Sequence, residues 1–575
     1  MFFTTQNNHP VTQIEPCAIP STTGKLDQSS MRQFAKLLWL AGFLLPDLLT
    51  AQTVRSPENQ IFQFMQGGVC TNWADGSKNQ SVAYLWIPEN CKKIHGLLIL
   101  CANVPEHGLV GHPKIREVCA KNNLGIVWCV PSFMNFRKDK AKDIDDAHDY
   151  KTSTVFLQQL LDGLAEKSGY SEVATAPWLP LGESGHLLMV DALVEFHPER
   201  CIAGVWLKNN HLPPKNRTVP ALVAFGSAQE WSQTLSDIRT NWNNIGKAYQ
   251  GVLDQRKQYP NWPLSYLIDG SSGHFDCSEK LVEFLAHFID CVAKARIADD
   301  GSLKSISLLD GFLADMPVPN HENHSAIKFS EVAPDQRGLP WFFDKEGAEA
   351  AQSFAAINWR AETQLPGFAE TTGKILPFNF NGISNLEPKY EADGITFILR
   401  GVMLDQLPEQ FTNAGVKLAK APGEPTLEWL CGPVKPLGGD RFQICLDRSF
   451  PSSACYIAAR QNGTDNIRNS VQPCGVKIQK NNSGFAQKIT FALIPDVKAG
   501  RKSIKLSAQS NSGLPVKFFV RAGPAVIHGD ELEFTPIPPR AKFPVVVVVA
   551  AWQWGSAGDQ PVKTEIVEQT FHILP

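Results

Sequence analysis

The chain has 575 residues, 43% of them hydrophobic and 19% charged, with a formal net charge of -3. That length exceeds what one core can organise and points to roughly three or four domains of ordinary globular protein. The near-neutral balance excludes the strongly basic surface of a nucleic-acid partner, while 33 Phe and 14 Trp favour β-rich cores or sugar-facing surfaces.

Residues 1–30 are a polar extension. From Met31 the chain reads MRQFAKLLWLAGFLLPDLLTAQ, with Arg32 and Lys36 as a basic head, an apolar run Leu37 to Leu45, and Leu49-Thr50-Ala51 as a cleavage site. This predicts a signal peptide over 31–52, a start at Met31 with residues 1–30 a mis-called extension, and a secreted or periplasmic protein without a membrane span. An amphipathic structural helix in a cytosolic protein is the alternative, and Asp47 keeps it open. Of the 13 cysteines only Cys17 precedes the signal. An even remainder in an exported protein permits disulfides, with Cys70/Cys91 and Cys445/Cys474 as possible pairs. No C-x-x-C occurs, so neither a zinc knuckle nor a redox motif is expected.

Between residues 56 and 300 strand and helix patterns alternate. VAYLWIPENCKKIHGLLIL (82–100) holds two strand-like runs around a turn, and LGIVWCVPS (124–132) is another buried strand. STVFLQQLLDGLAEKSG (153–169) has helical spacing with Gly169 as its stop. WLPLGES leads through a turn into the helix HLLMVDALVEFHPER. CIAGVWLK and ALVAFGS are short apolar strands, and PLSYLIDG precedes a loop and a last helix. This order predicts an α/β domain with a mostly parallel sheet covered on both faces. Residues 301–367 read as a Pro-rich linker with one short helix. Residues 368–483 form a β-rich middle domain over the catalytic face, and 484–575 a β-sandwich module.

A parallel sheet binds ligands at the carboxyl ends of its strands, and the sequence Gly182-Glu183-Ser184-Gly185-His186 falls there. It nearly completes G-x-S-x-G, the strand-to-helix turn that exposes a nucleophilic serine. Small neighbours let such a turn close. His186 departs from the pattern, so either the helix packs loosely there or the imidazole faces the pocket. A helix-capping serine is the competing reading. A nucleophilic serine needs a base, and His274 follows the last strand in SSGHFDCSEKL. The orienting acid is expected after the preceding strand, at Glu230, with Asp237 further on. Asp269 lies too close to His274 in sequence for that role. The oxyanion would be held by the backbone N–H of Gly185 and of Asn103 or Val104. Glu183, His186, His107 and His112 are possible pocket residues, and Glu106 crowds the same loop. His321 and His324 in HENH, and the charged stretch 138–149, contain ligand-type residues without a ligand set, so no metal or cofactor is expected.

With these residues in view, residues 95–297 resemble the secreted α/β-hydrolases, in particular bacterial esterase-like members with P-W-x-P-x-G-x-S, and SGHFDCSEKLVEFL resembles their histidine loop. The resemblance implies an α/β-hydrolase fold with Ser184, His274 and Glu230 as triad. The tail, with SGLPV…GPA, is similar to bacterial immunoglobulin-like repeats, which implies a spacer or adhesive module. The expected function is an exported serine esterase acting on polysaccharide or oligosaccharide esters. A serine peptidase on the same fold and a catalytically degenerate scaffold domain are the alternatives.

Overall fold

Strands apolar at every position must be covered on both faces. GLLILC (96–101) and LGIVWCV (124–130) are buried throughout, and they sit mid-sheet. A computed structural model describes residues 60–575 except 72–77, 134–146, 209–215, 227–240, 270–271, 276, 318–324, 335–336, 357, 359–360, 380–381, 412–413, 452–453 and 557–560. The expected signal segment, Glu230, Asp237, His321 and His324 lie outside the described residues, as does the stretch 138–149 up to residue 146.

Eight strands form the main sheet: β1 (Phe64–Thr71), β2 (Lys78–Trp86), β3 (Gly96–Cys101), β4 (Leu124–Val130), β5 (Trp178–Glu183), β6 (Gly204–Leu207), β7 (Ala221–Gly226) and β8 (Leu264–Asp269). Their spatial order is 1-2-4-3-5-6-7-8. The β1–β2 and β2–β4 pairings are antiparallel, and β3 to β8 run parallel. This is the mostly parallel sheet of an α/β-hydrolase, as expected. Its helices are α1 (Val104–Leu109), α2 (Pro113–Lys121), α3 (Ala147–Ser168), α4 (Leu187–Phe196), α5 (Asn241–Gln258) and α6 (Glu279–Arg296). Local chemistry sets their ends. Pro113 opens α2, where it has no N–H to waste. The Ser278 hydroxyl caps α6 by accepting from Leu281 N. Gly169, at φ +79, takes the left-handed turn that stops α3.

A short helix, α7 (Lys345–Ala355), follows the connection, and several small, mostly antiparallel sheets complete the chain. A four-stranded sheet holds Thr426–Cys431, Tyr456–Gln461, Ser470–Val476 and Ser384–Leu386. Another holds Lys517–Ala522, Val545–Gln553, Glu565–Leu574 and Val497–Lys498. The terminal strands are not strung out as a spacer. Ile494, Val520, Val547, Phe571 and Ile573 belong to the same apolar cluster as the main sheet, and Lys542 N donates to Ser168 O at the end of α3.

Neither suggested disulfide forms. Cys91 is a free thiol whose Sγ lies 3.2 Å from Lys93 O. Cys474 is a free, buried thiol on the strand Ser470–Val476, facing Gly475 O at 3.6 Å. Burial pushes the Cys91 thiol up to about 11. Among the described residues no helix is long and apolar enough to cross a membrane.

Arg448 ties the layers together. Its buried guanidinium donates to Gln60 O beside the main sheet, and to Gly523 O at 2.9 Å and Ala525 O at 3.4 Å in the terminal module. Burial lowers its pKa to about 10, so it stays charged at neutral pH. Replacing it strands buried carbonyls. We expect Arg448→Met to destabilise the chain by about 2–4 kcal/mol, read as a lower midpoint in urea; an unchanged midpoint would show the contacts to be dispensable.

Candidate active site

β5 ends at Glu183, and Ser184 begins a short 3-10 turn, Ser184–His186, that runs into α4. Ser184 has φ +52, a left-handed backbone that a residue with a side chain adopts only where its surroundings hold it there. The turn is tight rather than loose. A Cβ on Gly182 would stand 2.5 Å from the His186 carbonyl oxygen, so the chain passes itself closely at a point where only glycine fits.

Two side chains of the α1 segment clamp the residue before the serine. Asn103 Nδ2 donates to Glu183 O at 3.1 Å and to Glu183 Oε2 at 2.5 Å. Glu106 Oε1 accepts from Glu183 N at 2.7 Å. The main-chain donor and acceptor of Glu183 are thus both held from one short helix, and Glu183 and Glu106 are both fully buried.

His274, on the loop between β8 and α6, places Nε2 2.9 Å from Ser184 Oγ and 3.4 Å from Glu183 Oε1. His274 is 5% exposed, whereas Ser184 is half-buried and Gly185 exposed. The turn that carries the hydroxyl thus lies nearer the surface than its hydrogen-bond partner. Ninety residues of chain separate the pair, and the parallel sheet closes that gap by ending β5 and β8 at the same rim.

The four possible pocket residues each have defined contacts. Glu183 lies inside the elbow as its brace. His186 turns inward, with Nδ1 3.7 Å from Glu106 Oε1. His107 is buried: Nε2 meets Asp447 Oδ2 at 2.8 Å, Nδ1 accepts from Gly432 N at 3.4 Å, and the ring packs edge-on against Trp429. It joins α1 to the middle β-region. His112 caps α2 by accepting from Lys114 N, and its Nε2 reaches Glu279 at 3.1 Å. Each imidazole is used by a helix end or a layer contact, and apart from the Lys114 N–H on His112 these partners are remote in sequence.

Asn103 and Val104 lie at the start of α1, beside the elbow. Val104 packs with Leu430, Cys431, Ala458 and Val471 of the middle sheet. Next to His274, the Phe275 ring stacks on Tyr456 with centroids 5.4 Å apart and planes 9° from parallel. Middle-sheet residues therefore stand directly against the serine–histidine rim. Asp269, at the end of β8, is held by Lys208 Nζ at 3.0 Å in a fully buried ion pair.

No family model matches the chain. No curated protein matches it either. Solved structures do. A ferulic acid esterase aligns with 40% of this chain and 98% of its own, at 12% identity and a TM-score of 0.27. A siderophore hydrolase from Aspergillus nidulans aligns with 40% of this chain and 95% of its own, at 9% identity and a TM-score of 0.27. A Staphylococcus aureus fluorophosphonate-binding serine hydrolase aligns with 40% and 98%, at 11% identity and a TM-score of 0.24. The similarity to esterases and serine hydrolases is distant and concerns the fold. The chemistry rests on the residues of this chain.

Burial opposes protonation of His186, but the Glu106 carboxylate beside it outweighs burial and raises its pKa above the usual histidine value. A raised folded-state pKa stabilises the fold below the unfolded value of about 6.5, and this stabilisation is lost as pH rises through the folded value. Glu106→Gln keeps an acceptor for Glu183 N but removes the charge. Wild type should exceed this variant in urea stability on the acid side of pH 6.5, with the gap closing toward alkaline pH. A gap that is constant with pH would break the link to His186.

Proposed function

We propose that the protein is a serine hydrolase of carboxylic esters, with Ser184 as nucleophile and His274 as its base. The observation that carries this reading is the 2.9 Å contact between Ser184 Oγ and His274 Nε2, with the serine in a left-handed strand-to-helix turn. With Nε2 unprotonated, Ser184 donates its hydroxyl hydrogen to it. As Oγ attacks the ester carbonyl, Nε2 takes the proton and the carbonyl electrons move onto oxygen. Return of that proton to the leaving alcohol breaks the ester C–O bond and leaves an acyl-enzyme. Water, deprotonated by the same nitrogen, then releases the acid.

The oxyanion in this scheme is met by the Gly185 N–H at the start of α4, where the helix dipole favours negative charge, and by a backbone N–H of Asn103 or Val104. The Glu183 carboxylate stands 3.4 Å from Nε2, on the side where positive charge develops in the transition state. The orienting acid is assigned to Glu230, because β7 ends at Gly226, a few residues before it.

A carbohydrate-linked ester is the substrate class we favour. The flat Phe275–Tyr456 pair beside His274 supplies an aromatic wall of the kind on which a sugar ring or an aromatic acyl group packs. Export, part of the same proposal, is supported by the signal-like segment 31–52.

Ser184→Ala and His274→Ala should each lower ester turnover by at least about 10³-fold while leaving the Tm within a degree or so of wild type. Fluorophosphonate labelling should disappear in Ser184→Ala. Persistent labelling or turnover in that variant would end the proposal. Glu230→Ala should lose turnover where Asp237→Ala does not, and the opposite ranking would move the acid to Asp237.

A further inference from the structure

Away from the serine, three side chains of different chemistry converge on one point. His287 and Cys291 stand one turn apart on the same face of α6. Asp344 caps α7, its Oδ1 accepting from Gly347 N at 2.8 Å. His287 Nε2 lies 3.0 Å from Asp344 Oδ1, Cys291 Sγ lies 3.5 Å from His287 Nε2, and Cys291 Sγ lies 3.2 Å from Asp344 Oδ2.

A proton relay would use both ring nitrogens, with the thiol on one and the carboxylate on the other. Here both partners meet the same nitrogen. The three residues instead close a triangle in which the carboxylate meets the nitrogen through Oδ1 and the sulfur through Oδ2. Its edges approach those of a tetrahedral zinc site, where bonds of about 2.0–2.3 Å leave neighbouring ligand atoms roughly 3.3–3.7 Å apart. The other ring nitrogen, Nδ1, faces Glu346 Oε1 at 4.0 Å, the side on which metal-bound histidines are commonly steadied by a carboxylate. Gly347 borders the triangle. A Cβ there would stand 3.2 Å from Asp344 Oδ1 and 3.5 Å from the ring nitrogen, so the backbone approaches without a side chain. The His287 and Asp344 side chains are 27% and 41% exposed, which gives an ion a path from solvent.

We propose that His287, Cys291 and Asp344 bind one zinc-class divalent cation, with solvent in the fourth position. Imidazole, thiolate and carboxylate together suit zinc better than calcium or magnesium, which take oxygen ligands. Binding displaces the Cys291 thiol proton to solvent as the sulfur–metal bond forms. The ion would fasten α7, the helix of the connecting segment, to α6, the last helix of the hydrolase sheet. The assignment does not depend on the hydrolase reading.

The full-length chain, stripped with a chelator and titrated with zinc against a chromophoric competitor, should take up one equivalent. Cobalt in its place should give a thiolate-to-cobalt charge-transfer band. Cys291→Ser should abolish that band, and Cys291→Ser and Asp344→Asn should each weaken zinc binding by at least about tenfold. Zinc should raise the Tm of wild type and not that of Cys291→Ser. If Cys291→Ser does not fold, Asp344→Asn, which retains the capping oxygen, decides by its zinc affinity. Uptake well below one equivalent by wild type, a band that survives in Cys291→Ser, or unweakened binding by Asp344→Asn would overturn the proposal.

Discussion

A serine held at φ +52 is the constraint on which the rest of the α/β half depends. A left-handed backbone outside glycine carries a cost of order 1–3 kcal/mol and persists only where neighbours over-determine it. Here the determinants are explicit. Gly182 permits the close pass under His186, Glu106 takes the Glu183 N–H, and Asn103 takes its carbonyl. These contacts fix the Cα of Ser184, and the side chain then leaves in the one direction that meets His274. The geometry belongs to the scaffold rather than to Ser184 and His274 themselves.

The middle β-region is part of this scaffold. Asp447 accepts from His107 on α1, the same helix that clamps the elbow. A hydrogen bond to His107 and the nearby Ser449 donors outweigh burial and keep the Asp447 carboxyl below its usual pKa. The adjacent Arg448 reaches both the first described residue of the chain and the terminal module. Two consecutive residues, one anionic and one cationic, therefore connect the elbow helix, the start of the main sheet and the terminal strands. The rings of Phe275 and Tyr456 extend the same contact to the serine–histidine rim.

Elements carried by local pattern were legible in the sequence. The doubly buried strands announced themselves as unbroken apolar runs, α3 ended at its glycine, and the elbow and the histidine loop were visible from strand-turn-helix context. What could not be read was partnership over distance. His107 and His112 looked like pocket residues because nothing local indicates that their partners are Asp447 and Glu279. Glu106 looked like crowding, although its spacing of three from Asn103 is what lets both side chains reach the main chain of one residue, Glu183. The interval of four from His287 to Cys291 was a readable signal on one helix face, but its third member sits 53 residues beyond Cys291. The suggested cysteine pairs followed from an even count, which says nothing about which layer each thiol is buried in.

The shared apolar cluster has a consequence for how the chain is made. Ribosomes deliver residues in order, and the main sheet is complete once β8 has emerged. Yet Val520, Val547 and Phe571, which belong to the same apolar cluster, come last. That cluster is therefore complete only when synthesis ends.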